Sequence, residues 1–199
     1  MTWVPPESMA VTAADPVRSR ILYAVMAAVG SVSVAGIGVA DVLCVGADTD
    51  LKDSLARLQA GITAGGMVVE VVVGPDENAY PETSGAEQIN DSDVFDFDIS
   101  LTIHLGLPLP DGWTSERMAS RICAGIYAIA ASVEDGAGGW GGRWADPAPG
   151  EHSGEPLAQF TTYLGGGSAF AESELRTMCT GLALRVRYQV ARGSMETAT

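Results

Sequence analysis

One segment in the middle of the chain alternates between apolar and polar residues, and it constrains the fold more than any other feature. Its apolar positions are Phe95, Phe97, Ile99, Leu101, Ile103 and Leu105, and its polar positions are Asp96, Asp98, Ser100, Thr102 and His104. Because side chains of a β-strand point alternately to opposite faces, this pattern predicts a strand with one face in the core and one in water. The run from Val94 to Leu105 exceeds an ordinary strand, so we expect one end to extend beyond the sheet as half of a hairpin.

Near the C-terminus a second segment alternates in the same way but carries the opposite charge. Its apolar positions are Leu182, Leu184, Val186, Tyr188 and Val190, with Arg185, Arg187 and Gln189 between them. If the two strands are neighbours, Asp96 and Asp98 face the two arginines as cross-strand pairs. Each such pair contributes about 0.2–1 kcal/mol.

Helix signals flank the central strand on both sides. Asp15 as N-cap, followed by Pro16, predicts a helix that ends at Gly30. Thr114 or Ser115 begins a second helix, whose core positions recur at spacings of three and four residues. These core positions are Met118, Ile122, Ile126, Ile129 and Val133.

The remaining elements are shorter. Asp50 caps a short helix, and Met67 to Val73 form a strand so apolar that we expect cover on both faces. Leu157 to Leu164 are predicted to form another strand, followed by a loop at Gly165–Ser168 and a short helical turn at Glu172–Met178.

The length of 199 residues predicts one domain at residues 15–192, with an N-terminal arm at 1–14 and a C-terminal tail at 193–199. An acidic loop interrupts this domain at residues 74–93. From Asp76 to Asp98 the sequence has eight carboxylates and no cation. A loop of this length inside a domain is usually functional or mobile.

A second loop, at residues 136–156, is rich in glycine, proline and tryptophan. Its two tryptophans, Trp140 and Trp144, leave two interpretations open. The loop packs back onto the domain, or the tryptophans dock on a partner protein.

Charge and composition exclude two classes of function. The chain has 25 acidic side chains against 11 Lys and Arg, so its formal charge is −14, and 47% of its residues are hydrophobic. This acidity argues against a sequence-independent nucleic-acid binder, which needs cations to displace counterions from phosphates. The hydrophobic share is too high for a disordered protein.

The sequence contains no recognisable motif for catalysis or metal binding. His104 and His152 are the two histidines, and neither has a Cys or carboxylate at a metal-ligand spacing. Cys44, Cys123 and Cys179 are predicted to be buried thiols, with a single disulfide as the alternative. We therefore predict no enzyme, no catalytic residue, no metal and no cofactor. The alternative is a small enzyme in which His104 acts with Asp or Glu side chains.

A membrane-anchored or secreted domain is an alternative of another class. Ile21 to Ala40 is a run of 20 uncharged residues preceded by Arg18 and Arg20, and it is long enough to span a bilayer. The helix start at Asp15 and the change to a period of two after Gly30 favour a helix followed by a strand. We therefore predict no membrane partner.

The order of these elements resembles that of the tail terminator (gpU-like) proteins of long-tailed (siphovirus-like) bacteriophages. The resemblance covers about residues 15–192 as a layout of elements. The matching stretches are Asp15-Pro-Val-Arg-Ser-Arg-Ile-Leu22, Val94–Leu105, Thr114–Val133 and Leu182-Ala-Leu-Arg-Val-Arg-Tyr188. The loops at 74–93 and 136–156 and the N-terminal arm depart from the smallest members of the family.

The resemblance implies an α/β (α+β) subunit with a mixed, largely antiparallel sheet, two amphipathic helices on one face, and long loops or an extended hairpin. Six copies would form a ring that caps the tail tube, stops its polymerisation and joins it to the head–tail connector. The implied partners are other copies of the chain, the tail tube protein and the connector or stopper protein. The chain would be made in the host cytoplasm and reside in the neck of the virion. A head-completion or stopper subunit is the nearest alternative.

Within this family role we assign two groups of residues by hypothesis. Contacts to other subunits or partners are assigned to Asp96, Asp98, Arg185, Arg187, Trp140 and Trp144. Acidic side chains that border a channel are assigned to Asp76, Glu77, Glu82, Glu87, Asp91 and Asp93. Their negative charge would let DNA pass without specific binding.

Overall fold

The computed structural model describes residues 3–46, 50–78, 92–132, 143–151, 153–172 and 175–191. In these ranges the chain forms three α-helices and seven β-strands. The helices are α1 (Val17–Gly30), α2 (Leu51–Thr63) and α3 (Ser115–Ser132). The strands are β1 (Ser33–Val34), β2 (Ile37–Val45), β3 (Met67–Val73), β4 (Glu77–Asn78), β5 (Ser92–Gly106), β6 (Ala158–Glu172) and β7 (Thr177–Ala191).

The strands form one sheet with the order β1-β2-β3-β5-β7-β6, and the short β4 pairs with β5. β2 and β3 are parallel and are connected through α2, because parallel neighbours need a crossover connection. The other described pairs are antiparallel. The expected mixed, largely antiparallel sheet of an α+β fold is therefore confirmed.

Two helices cover one face of this sheet. α1 contributes Ile21 and Val25 to the main core, and α3 contributes Met118 and Ile122. These side chains pack with the apolar side of β5, which includes the fully buried Phe97. The prediction of two amphipathic helices on one face is confirmed.

α2 lies on the opposite face and covers only part of it. Leu58 of this helix packs with Leu43 and Val68 in a second, smaller core. Farther along β3, Val72 is 48% exposed. Our expectation that both faces of β3 are covered is therefore wrong at this end, because the residues around Val72 extend past the buried part of α2.

The central strand is longer than its neighbour β3. β5 pairs with β7 along its whole length, from Ser92 opposite Ala191 to Gly106 opposite Thr177. β3 pairs only with the section from Ile99 to Leu105. The first half of β5 therefore extends past β3 and pairs with the short β4, as expected for half of a hairpin. The expectation that this end leaves the sheet is wrong, because β7 pairs with it throughout.

The predicted N-cap residues are confirmed for two of the three helices. Asp50 and Thr114 accept hydrogen bonds from the first turns of α2 and α3. The predicted cap at Asp15 is wrong, since its carboxylate accepts hydrogen bonds from the backbone N–H and hydroxyl of Thr12. The residue before α1 is Pro16, which provides no side-chain cap.

β6 corrects the prediction for the glycine-rich segment. The strand runs from Ala158 to Glu172 through the stretch assigned to a loop at Gly165–Ser168. Shifts of register against β7 occur on both sides of Gly166, where φ is +145°, a value that glycine adopts readily. The segment Glu172–Met178 contains strand ends and a turn at residues 175–176 in place of the predicted helical turn.

The segments predicted as arm, loops and tail are described in part. In the N-terminal segment the indole N–H of Trp3 donates to Asp41 Oδ1 at 3.1 Å, so this segment lies against the domain. The acidic loop contains β4, and residues 79–91 lie outside the described part. Residues 136–142 and His152 of the glycine-rich loop and the tail at 193–199 also lie outside it.

Two further expectations concern membranes and thiols. The stretch from Ile21 to Ala40 is divided among α1, β1 and β2. Within the described ranges, no helix has the length and apolar character required to span a membrane. The cysteines are free thiols: Cys123 and Cys179 are buried as predicted, whereas Cys44 is exposed on β2.

Candidate interaction surfaces

The polar side of β5 and β7 carries a ladder of two Arg–Asp pairs. Arg185 lies opposite Asp98, and Arg187 lies opposite Asp96, so the predicted cross-strand pairs are confirmed. Each pair is bidentate: the Nε and Nη2 atoms lie 2.7 and 3.0 Å from the oxygens of Asp98, and both lie 2.7 Å from those of Asp96. Two parallel N–H···O bonds make this the most directional kind of ion pair.

The two pairs differ in their environment. The side chains of Arg187 and Asp96 are 22% and 11% exposed, whereas those of Arg185 and Asp98 are 39% and 40% exposed. The Arg187 guanidinium also lies 5.0 Å from the ring centre of Phe160. The hydrogen bond and charge of Arg185 lower the pKa of Asp98 below its ordinary value.

The polar face of β5 is less exposed to solvent than the sequence predicts. We expected the polar face of β5 to be wet, but Asp96 and His104 are buried. The arginines are neutralised inside the chain, so the ladder offers a partner a polar surface with paired charges. The assignment of these four charged residues to subunit contacts stays a prediction.

The acidic segment is only partly directed outward. Asp76, which we assigned to a channel, lies 2.9 Å from Arg18 Nη1, and its side chain is 20% exposed. Arg18 also donates to the carbonyl of Gly74, so this pair joins α1 to the end of β3. Glu77 is 65% exposed and reaches to 4.0 Å from Arg185.

The structure does not describe the side chains of the other four residues assigned to the channel. Glu82, Glu87 and Asp91 lie outside the described residues, and Asp93 is placed only by its backbone in β5.

Trp144, one of the two tryptophans of the glycine-rich loop, is buried in the domain. Trp144 is 3% exposed, and its indole N–H donates to Thr161 Oγ1 on β6 at 2.8 Å. Its assignment to a partner surface is therefore corrected: the loop packs back, because a buried indole finds both an apolar pocket and an acceptor there. A buried ion pair between Arg20 and Asp146 fixes the same loop to α1. Trp140 lies outside the described residues.

Apolar side chains are exposed at the edge of the sheet formed by β6. This edge patch consists of Tyr127 of α3 and Tyr163 of β6, which are 49% and 37% exposed. Leu164 and Phe170 of the same strand are 47% and 55% exposed, but Phe170 lies opposite Cys179 and therefore on the other face of the sheet. The rings of Tyr127 and Tyr163 meet edge to face at 5.6 Å between centroids. A groove of about 320 Å³ lies beside them between α3 and β6. Large exposed apolar side chains that cluster in this way are typical of contact surfaces.

A second group of exposed apolar side chains lies on the α2 side of the molecule. We call Leu51, Leu55 and Val72 the α2 patch; they are 73%, 46% and 48% exposed. The two leucines continue the stripe of the buried Leu58 toward the start of the helix. The spacing of Leu51, Leu55 and Leu58 in the sequence indicates one apolar stripe, but it does not reveal that two of the three stay exposed.

A polar cluster that the sequence did not predict lies at the other end of the same face. His104 of β5 is 5% exposed, and Cys179 of β7, its cross-strand neighbour, is fully buried. The imidazole Nε2 lies 2.8 Å from Glu70 Oε2, and Nδ1 lies 3.3 Å from Cys179 Sγ. Burial alone would lower the pKa of His104, but hydrogen bonds to Cys179 and Glu70 raise it to about 9.

Cys179, His104 and Glu70 are arranged in the order of a Cys–His–Glu catalytic triad. The burial of the thiol, however, argues against its use as a nucleophile. A nucleophilic thiolate must meet its substrate. In this structure Cys179 has no exposed surface, so its Sγ is not reachable by a substrate in the described conformation. The three residues come from three strands, β3, β5 and β7, which is why no spacing in the sequence indicated them.

No protein-family model matches this sequence, and no curated protein is significantly similar to it.

Proposed function

We propose that this chain is a structural subunit that assembles head to tail into a ring and acts as the tail terminator of a long-tailed bacteriophage. The observation that carries the proposal is the presence of two different apolar patches at separate places on one sheet. The edge patch lies on α3 and β6, at one end of the strand order, and the α2 patch lies on α2 and the end of β3, on the other face of the sheet. A head-to-tail ring requires two such unlike surfaces on every subunit.

The edge strand supports the same proposal. The outer side of β6 carries main-chain groups that no described strand pairs, since β6 ends the strand order. Such an edge can accept a strand from another chain, and its main-chain hydrogen bonds would add to the apolar contact. The register shifts opposite β7 twist the strand and limit how far open-ended pairing can extend.

The assignment to a phage tail rests on the order of elements in the sequence. The two helices, the central strand and the final Arg-x-Arg strand occur in the order that the tail terminator family has. In this role the ring binds the last layer of the tail tube, stops further addition of the tube protein, and presents its other side to the connector. The protein would act through contacts alone, in the neck of the virion, without turnover.

The negative charge is consistent with a channel through which DNA passes. With a formal charge of −14, a ring of these subunits repels phosphates at close range. Glu77, at the exposed end of β4, is the described acidic side chain that we place nearest to such a channel.

A mixing experiment tests the ring. Leu55→Asp damages the α2 patch and Tyr127→Asp damages the edge patch, while Leu107→Asp is a matched control outside both patches with the same 46% exposure as Leu55. Native mass spectrometry should find the wild-type and control chains at six times the chain mass of 20.6 kDa, and each patch variant as a monomer. Because each variant keeps one intact patch, an equal mixture of the two should form dimers that do not grow.

A second experiment tests the tail role. Tubes polymerised from purified tail tube protein should stop growing when the wild-type chain is added, and negative-stain images should show a ring at one end of each tube. Tubes that grow unhindered in the presence of the wild-type chain would contradict the proposal. Capping by the wild-type chain that both patch variants retain would contradict the assignment of the patches.

A further inference from the structure

We propose that His104, Glu172 and Cys179 form a binding site for Zn²⁺. The three residues belong to β5, β6 and β7, which are neighbours in the sheet. Their ligand atoms are His104 Nδ1, Glu172 Oε2 and Cys179 Sγ, which all lie within 4.8 Å of one another. This inference is independent of ring assembly and goes beyond it.

The distances between the three atoms match a tetrahedral zinc site. Nδ1 lies 3.3 Å from Sγ and 3.6 Å from the Glu172 oxygen, and that oxygen lies 3.8 Å from Sγ. Zinc binds sulfur at about 2.3 Å and nitrogen or oxygen at about 2.0–2.2 Å, so tetrahedral angles separate the ligand atoms by about 3.3–3.7 Å. For an ion just outside the plane of these three atoms, the ligand atoms need shifts of only a few tenths of an ångström.

The surroundings of His104 prepare Nδ1 for a metal. A carboxylate only accepts hydrogen bonds, so the contact of 2.8 Å to Glu70 places the imidazole proton on Nε2. An entering metal ion displaces the second imidazolium proton from Nδ1, whose lone pair then faces Cys179 and Glu172. This carboxylate–histidine arrangement is the usual second shell of a zinc-bound imidazole, and its loss typically weakens metal binding about 10- to 100-fold.

The ligand set favours zinc over other common ions. A thiolate together with an imidazole suits a borderline-soft ion, whereas Mg²⁺ and Ca²⁺ take oxygen ligands. The side chain of Glu172 is 43% exposed, so solvent reaches the site from this side. Three protein ligands leave a fourth position for water. Thr177 Oγ1 lies 3.5 Å from Sγ and supplies a further polar neighbour to the sulfur.

The alternative is a site that holds only protons, with an imidazolium between the carboxylates. Metal titration of the full-length chain separates the two. The chain is stripped with a chelator and titrated with Zn²⁺ against a chromogenic zinc indicator, and Co²⁺ is used as a spectroscopic substitute. We expect one ion per chain, a thiolate-to-cobalt charge-transfer band in the near ultraviolet, and a rise of the thermal midpoint with Zn²⁺.

Variants identify the ligands. Glu172→Gln changes a partly exposed side chain and should fold, yet it should weaken zinc binding at least tenfold. Cys179→Ser should abolish the charge-transfer band. Cys123→Ser is the matched control, because Cys123 is also a buried free thiol, and it should keep both the band and the affinity.

Three results would overturn the site. The first is the absence of a cobalt–thiolate band in the folded wild-type chain. The second is zinc affinity that Glu172→Gln leaves unchanged, and the third is loss of the band in Cys123→Ser but not in Cys179→Ser. Circular dichroism of each variant confirms that it is folded, so that Glu172→Gln decides the matter if Cys179→Ser does not fold.

Discussion

Removing the two arginines of the ladder one at a time should have unequal effects on stability. Arg185→Ala and Arg187→Ala change the same residue type on the same strand, and each removes a bidentate bond to an aspartate. The two sites differ in burial and in the contact of Arg187 with the ring of Phe160. The comparison therefore measures how the more enclosed setting of Arg187 changes the free-energy contribution of one kind of ion pair.

The expected magnitudes follow from the exposed fractions. The Arg185–Asp98 pair is about two-fifths exposed on both sides, so solvent screens it and Arg185→Ala should cost no more than about 1 kcal/mol. Arg187→Ala leaves the carboxylate of Asp96, whose side chain is 11% exposed, as a largely buried charge without its main partner. Loss of one partner from a fully buried pair costs about 3–5 kcal/mol, so we expect about 2–4 kcal/mol for this partly buried pair.

Urea denaturation followed by circular dichroism measures the difference. With a slope of about 2 kcal/mol/M, Arg187→Ala should lower the midpoint by about 1–2 M and Arg185→Ala by about 0.5 M or less. Adding Asp96→Asn to Arg187→Ala should recover part of the loss, because it removes the unpaired charge. Equal losses for the two arginine variants, or no recovery in the double variant, would refute the reasoning.

Three further predictions concern stability. Asp98→Asn should destabilise the chain at pH 7 by up to about 1 kcal/mol; because Arg185 lowers the pKa of Asp98, the difference should disappear in urea titrations as the pH falls below 3.8. Gly166→Ala should lower the thermal midpoint far more than Gly150→Ala. Both glycines have φ near +140°, but a Cβ at Gly166 would lie 2.3 Å from a backbone oxygen, whereas the space at Gly150 is open. Trp144→Phe should cost about 1–2 kcal/mol in urea denaturation through the lost hydrogen bond, and an unchanged midpoint would contradict its burial.

Local patterns in the sequence were sufficient for the elements with a clear period. The alternation around Phe97 and Val186 identified two strands and the face of each that is buried. It also paired the correct charges, because residues of opposite charge in antiparallel neighbours meet once the apolar faces are aligned. Helix α3 was equally clear, since its apolar residues recur at helical spacing after Thr114.

Glycine-rich and acidic stretches were predicted less well. The segment at Gly165–Ser168 was interpreted as a loop, yet β7 holds it in the sheet by long-range pairing that outweighs local preference. The same applies to Glu77, which joins β5 through a two-residue strand. Asp15 has the composition of a helix cap, but a nearby hydroxyl and N–H compete for its carboxylate.

The sequence by itself determined which faces of the long strands are apolar and which charges oppose one another, because these properties depend on the periods of strands and helices. Only the tertiary structure decided which polar residues are buried. The alternation in the sequence predicts a solvent-exposed His104, but the neighbouring strands bring Cys179 and Glu70 against it and bury it. The physical reason is that burial and site geometry depend on which distant segments meet, and no spacing along the chain records that.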